Sequence, residues 1–175
     1  MQYRRANTPG AYYFFTVNLA ERNKTLLINH INELRAAFAQ IKQNHPFMIN
    51  AMVVLPDHLH TLWHLPDNDA DFPTRWRLIK SVFSHALPQT ERISISRRKK
   101  GERGIWQRRY WEHLIKDDKY FARHVDYIHY NPVKHGYAQS PADWPYSSIH
   151  RYIQKGVIQP DWAVTGDFDD RFVER

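Results

Sequence analysis

Apolar and polar positions along the chain alternate between two periods. Residues 11–19, Ala-Tyr-Tyr-Phe-Phe-Thr-Val-Asn-Leu, are aromatic and β-branched and are bounded by Pro9-Gly10 and Glu21-Arg22-Asn23, which predicts a mostly buried strand. From residue 29 or 30 to about Asn44, Ile31, Leu34, Phe38 and Ile41 recur at helical spacing and Pro46 follows, which predicts an amphipathic helix covering a sheet. Residues 47–55 read as a second strand, Pro56-Asp57 as a tight connection and residues 58–65 as the return strand of a hairpin. A second helix is expected from Pro73 to about Ala86, with Trp76, Ile79 and Phe83 inward and Arg75, Arg77 and Lys80 outward. Residues 96–104 are a charge run with glycines and read as a mobile loop. Residues 105 to about 116 return to strand-like composition. Asp117 or Asp118 then caps a helix expected to end near Asn131, because Pro132 disfavours helical geometry in the residue before it.

Composition narrows the function classes. A chain of 175 residues, 42% hydrophobic and 14% aromatic, is expected to fold as one domain with a real core. There is no cysteine, which removes disulfides, thiolate zinc sites and thiol nucleophiles together. The start, Met1-Gln2-Tyr3-Arg4-Arg5, lacks the apolar core of a signal peptide and the longest apolar runs are strand-sized, so a soluble, cytoplasmic protein with no membrane partner is expected. A net charge of +7 favours a polyanionic partner, nucleic acid first, although a merely basic protein would carry the same charge. Trp106, Tyr110 and Trp111 interleave with Arg108, Arg109 and His113, which suits stacking and backbone contact with single strands and equally suits a half-buried edge strand.

The candidate chemistry begins at His58-Leu59-His60. On a strand, side chains two apart point to the same side, so the two imidazoles are presented together as half of a metal site, although a hairpin strand carrying incidental histidines would read the same. His64 shares their parity but lies about 13 Å further along an extended strand, which makes it a substrate contact or surface residue rather than a ligand. Within the last predicted helix, Phe121, Val125 and Ile128 form the core stripe, and Tyr120, His124, Tyr127 and Asn131 form a neighbouring one. Tyr127 and Asn131, at i and i+4, project together and supply a hydroxyl nucleophile and an oxygen ligand. A phenol with an ordinary pKa of ~10 is a poor nucleophile at neutral pH, so something must polarise the phosphate or assist deprotonation; a divalent ion on His58, His60 and Asn131 can do the first and orient the phosphate. Attack by Tyr127 on phosphorus would then store the bond in a phosphotyrosine, and a later hydroxyl could reseal it without ATP.

Val53-Val54-Leu55-Pro56-Asp57-His58-Leu59-His60 resembles the His-hydrophobic-His motif of HUH endonucleases, and residues 125–136 resemble the tyrosine helix of single-tyrosine transposases. With Ile105-Trp106-Gln107-Arg108-Arg109-Tyr110-Trp111-Glu112-His113 and Asp143-Trp144-Pro145-Tyr146-Ser147-Ser148, the resemblance is to the REP-associated tyrosine transposases and covers nearly the whole chain. It implies an α+β, ferredoxin-like or RRM-like antiparallel sheet with helices packed on one face and a C-terminal tyrosine-bearing helix. It also implies a Mg²⁺ or Mn²⁺ requirement and cleavage of single-stranded DNA beside hairpins of repetitive extragenic palindromes, leaving a 5′-phosphotyrosine. Residues 138–175, with Trp144, Tyr146, Tyr152 and Trp162, resemble the subgroup's tail and would cover a surface otherwise open to a partner. The subgroup implies a monomer, whereas the insertion-sequence relatives are dimers that share active sites. One departure stands at Asn131, where insertion-sequence transposases place the longer Gln.

The expectation is therefore a metal-dependent DNA endonuclease and strand transferase, with an autonomous insertion-sequence transposase or a non-catalytic nucleic-acid-binding module as alternatives. Expected phosphate contacts are Arg4, Arg5, Arg97, Arg98, Lys99, Lys100, Arg103, Arg108 and Arg109. His124, Lys134 and His135 are candidates for general acid or base.

Overall fold

The computed structural model describes residues 7–163. The strands are β1 (Tyr12–Asn18), β2 (Met48–Val54), β3 (His58–His64) and β4 (Trp111–Leu114), and the sheet order is β2-β3-β1-β4, antiparallel throughout. Helices α1 (Leu26–Asn29) and α2 (Ile31–Asn44) connect β1 to β2. Helix α3 (Phe72–Ala86) and the short α4 (Ile95–Lys99) connect β3 to β4, and α5 (Asp118–Lys134) and α6 (Ile149–Gln154) follow the sheet. This α+β order is the ferredoxin-like arrangement expected from the resemblance.

Alternation along the strands sorts the core into two layers. Tyr13, Phe15, Leu59 and Trp63 face α2 and α3, where Trp63 stacks on Trp76 with ring centroids 4.4 Å apart. Phe14, Leu62, Val53 and Ala51 face the opposite way and pack against Val125 and Ile128 of α5. Ile49 and Ala51 share parity yet belong to different layers, because the ladder shifts register between them. The bulge turns the start of β2 over.

Four expectations need correction. The charge run 96–104, read as a loop, begins within helix α4, where Ser94 Oγ caps the helix by accepting from Arg97 N–H. Arg75 points inward with 2% exposure: its five N–H donors go to both Asp69 carboxylate oxygens and to the carbonyls of His45, Pro46 and Asp71. A guanidinium satisfied at every donor can be buried, and here it ties the α2–β2 corner to the loop before α3. The predicted strand over 105–116 shrinks to β4, and Trp106 makes only an isolated bridge to Leu19. Helix α5 runs through Pro132 to Lys134. Proline there costs one hydrogen bond in the last turn, and the end is closed beyond it. Gly136 takes a left-handed φ of 71°, its N–H bonds Val133 O, and Tyr137 N–H bonds Pro132 O.

The residues after α5 return along the outer edge of β2. Val54 N–H donates to Tyr146 O, Ser148 N–H donates to Met52 O, and Trp144 Nε1–H donates to Val54 O. That pairing covers backbone groups an open edge strand would expose.

Candidate active site

His58 and His60 open β3 just after the Pro56-Asp57 connection, and strand alternation puts both on the α5 side with ring centroids 5.0 Å apart. Helix α5 starts at Asp117, whose carboxylate accepts from Tyr120 N–H, and lays its buried face over this part of the sheet. His124, Tyr127 and Asn131 all lie on that face with at most 2% exposure. The Tyr127 ring stands 5.3 Å from the His60 ring, so the nucleophile candidate and the histidine pair meet. Lys134 Nζ lies 5.0 Å from the Tyr127 ring centroid, and the His135 ring is 5.0 Å from that of His58. His124 instead faces Phe14, His113 and Tyr120.

Each histidine has one nitrogen committed. His58 Nδ1–H donates to Asp57 Oδ1 at 2.7 Å, and His60 Nδ1 is 2.9 Å from Thr16 Oγ1. Both contacts leave Nε2 as the ring nitrogen for a ligand and hold the imidazole plane, as partners of metal-binding histidines do. Arg22 closes this shell: its Nε–H donates to Asp57 and its Nη1–H to Asn18 Oδ1 at 2.7 Å. The sequence reading missed Thr16, Arg22 and Asp57; the turn dipeptide Pro56-Asp57 beside the motif was the available signal.

Burial would raise the Asp57 carboxyl, but hydrogen bonds from His58 and Arg22 outweigh it and hold the group below its ordinary value. Burial lowers His58, with Asp57 only partly opposing, and it lowers His60 well below an ordinary imidazole, helped by the positive neighbours. Both rings are thus held neutral, the form that offers a lone pair.

Among the described residues no group of three or more His, Cys, Asp or Glu is arranged to hold a metal. The donor set is instead two imidazoles and an amide. His60 Nε2 and Asn131 Oδ1 are buried and lack a hydrogen-bond partner, whereas Asn131 Nδ2–H donates to Tyr127 O at 3.3 Å. With the His60 proton on Nδ1 toward Thr16, Nε2 and Asn131 Oδ1 are two buried acceptors on facing elements, and they fit a cation between them, because an unmet buried acceptor is otherwise costly.

The basic residues separate by engagement. Arg103 gives all five donors to Glu91 and to the carbonyls of Ser84, Leu87 and Pro88. Arg97 donates to the carbonyls of Arg103 and Trp106, and Arg108 to Glu102 and Ser96. Arg98, Lys99, Lys100 and Arg109 are exposed. Arg4 and Arg5 lie outside the described residues. His64 bonds Gly10 O and stacks on Tyr12, so it stands apart from the histidine pair.

Residues 8–131 match the family described as transposase IS200 like. The chain is 47% identical over 166 residues to a proposed REP-associated tyrosine transposase of Haemophilus influenzae, covering 94% of each chain. It is 45% identical over 169 residues to the REP-associated tyrosine transposase of Escherichia coli, covering 97% of this chain and 93% of the relative. A solved structure of a REP-associated tyrosine transposase bound to a REP hairpin superposes with a TM-score of 0.82 at 45% identity, covering 97% of this chain and 96% of that one. The family match ends at Asn131, whereas these relatives extend through the segment that lines β2. The chain belongs to the IS200-like transposases and, within them, to the REP-associated tyrosine transposases.

Proposed function

We propose that the protein nicks and rejoins single-stranded DNA at hairpin-forming repetitive extragenic palindromes, through a 5′-phosphotyrosine on Tyr127. The observation that carries this reading is the meeting of Tyr127 with the neutral His60 ring and the two unmet acceptors, His60 Nε2 and Asn131 Oδ1. Tyr127 Oη gives its phenolic proton to water as it attacks phosphorus in line; the new Oη–P bond forms as the P–O3′ bond breaks, and the leaving O3′ takes up one proton to end as a 3′-hydroxyl, so protons balance. Reversal by a second 3′-hydroxyl rejoins the strand and frees the phenol. His58, His60 and Asn131 would hold the divalent ion, Mg²⁺ or Mn²⁺, which supplies Lewis-acid polarisation of the scissile phosphate. Lys134 places a positive charge beside the Tyr127 ring, where it favours loss of the phenolic proton. His135, whose ring lies 5.0 Å from that of His58, is the group proposed to give the proton to the leaving oxygen.

Arg98, Lys99, Lys100 and Arg109 are the exposed cations proposed to hold DNA phosphates, with Arg108 beside them. Arg97 and Arg103 shape the loop that presents them, and Arg4 and Arg5 are proposed contacts on charge alone. No helix among the described residues is long and apolar enough to cross a membrane. We place the activity in the cytoplasm, with a monomer as the working unit. The tyrosine helix meets the histidines of its own chain, and the tail lines one sheet edge.

Incubation with hairpin DNA and Mn²⁺ should give a covalent adduct that survives a denaturing gel and is absent from Tyr127→Phe. Intact binding without an adduct, across a panel of hairpins, would leave only a binding module.

A further inference from the structure

Across the sheet from Tyr127, α3 and residues 97–110 enclose a cleft of about 540 Å³. Its lining holds five cationic side chains, Arg77, Lys80, Arg97, Arg103 and Arg108, against one carboxylate, Glu102. Glu102 is already taken by Arg108 at 2.7 Å, and Arg97 and Arg103 are bonded to carbonyls and Glu91 as described above. Lys80 and Arg77 differ from them. Lys80 Nζ–H donates to Gln107 O at 3.1 Å and lies 5.7 Å and 5.2 Å from the ring centroids of Trp106 and Tyr110. No carboxylate lies within ion-pair reach of Lys80 among the described residues, and exposed Arg77 lines the same cleft.

The cleft is tied to the histidine end of the sheet. Asn18 pairs with His58 on one side, and on the other its carbonyl accepts from Gln107 N–H at 3.0 Å. The carbonyl of Gln107 in turn receives Lys80. Two strand spacings, about 10 Å in the sheet plane, separate the His58 backbone from the segment that holds Lys80. A strand leaving the histidine site around the β4 side of the sheet would meet this cleft.

We propose that the cleft is a phosphate site in which Lys80 and Arg77 grip a backbone phosphodiester of the DNA strand engaged at the histidines. An ammonium held over aromatic rings without a carboxylate is a half-made ion pair, and an entering phosphate completes it. Burial, with Arg97 adding to it, pulls the Lys80 ammonium down to about 8, and a bound phosphate would oppose that pull. The proposal rests on the DNA reading above but not on cleavage.

The test is equilibrium binding of hairpin DNA with single-stranded flanks, over a range of salt, to wild type, Lys80→Met and Arg77→Gln. Methionine keeps the packing over the rings without the charge, and the exposed Arg77 site keeps the test valid should Lys80→Met fail to fold. Each variant should lose about tenfold in affinity at low salt, the size of one charge-assisted contact. The slope of log K against log salt should fall by roughly 0.7 per phosphate released. One neutral methylphosphonate linkage should cost wild type at least as much as either substitution, and should cost Lys80→Met less than it costs wild type, because only the Arg77 contact is then left to lose. Unchanged slopes in both folded variants, or no linkage whose neutralisation costs Lys80→Met less than wild type, would overturn the proposal. So would competition by inorganic phosphate for the cleft with DNA binding unaffected, which would mark a small-anion site. Covalent adduct formation by wild type is scored separately, so a failed phosphate site and a failed nicking reading leave different records.

Discussion

Replacing Asp57 with Asn tests whether the shell behind His58 matters for the reaction. The wild-type carboxylate is buried, accepts His58 Nδ1–H at 2.7 Å and receives Arg22 Nε–H. Asparagine keeps the volume, and its oxygen can still accept from His58, but its NH₂ group then meets the N–H donors of Arg22. The Arg22 side chain is 48% exposed and can turn to water, so most of its share of the interaction is recovered there. The loss falls on the charge-assisted hydrogen bond that orients His58, on the order of 1.5–3 kcal/mol. Loss of such a partner costs metal sites about 10- to 100-fold in affinity, and the two estimates agree. In a titration of covalent adduct rate against Mn²⁺, the half-maximal concentration should rise by about that factor. Saturating Mn²⁺ should restore most of the rate. An unchanged midpoint in a folded Asp57→Asn protein would mean that Asp57 does not orient His58 for a metal. The pH sign is also set: a carboxyl held below its ordinary value stabilises the fold fully above 3.8, and loses that effect as pH falls through the depressed value. The stability gap between wild type and variant should therefore close in acid.

Two other outcomes follow from buried polar groups elsewhere. Arg75→Met strands the carbonyls of His45, Pro46 and Asp71 together with Asp69. Breaking a buried pair costs about 3–5 kcal/mol, and Asp69, whose side chain is a third exposed, can rehydrate; the lower end applies. Calorimetry should show Tm falling by roughly 6–12 °C, and a fall of a degree or less would mean that the clamp is dispensable. Burial lowers His129 to about 3, so the folded state keeps it neutral while the unfolded chain takes up a proton near 6.5. Stability should fall between pH 7 and pH 5, and His129→Gln should lessen that fall by about 2 kcal/mol in urea unfolding. An identical pH dependence in the variant would show that this histidine does not set it.

Local pattern made much of the fold legible. Aromatic and β-branched composition between turn signals in residues 11–19, the turn at Pro56-Asp57 before residues 58–65 and helical spacing in 31–44 are local signals, and β1, β3 and α2 match those readings. Strand and helix geometry placed His58 beside His60 and Tyr127 beside Asn131. What pattern could not show was partnership across the chain. Arg75 looks like a solvated helix charge until Asp69 and three distant carbonyls are brought to it. Arg103 in a charge run looks mobile, yet Glu91 and three carbonyls bind all its donors. Residues 105–116 have strand composition, but β1 offers Trp106 only an isolated bridge before β4. Pro132 suggested a helix end because local sterics were weighed without the closing turn at Gly136.

Tyr127 is the residue expected to become linked to DNA. The most direct test is proteolysis and mass spectrometry of the adduct formed with Mn²⁺ and hairpin DNA, because the chain has ten tyrosines and a gel shift alone does not choose among them. The expected product is a 5′-phosphonucleotide on the peptide carrying Tyr127, with a free 3′-hydroxyl on the released strand. Linkage through any other residue, or a strand released with a 3′-phosphate, would contradict this chemistry.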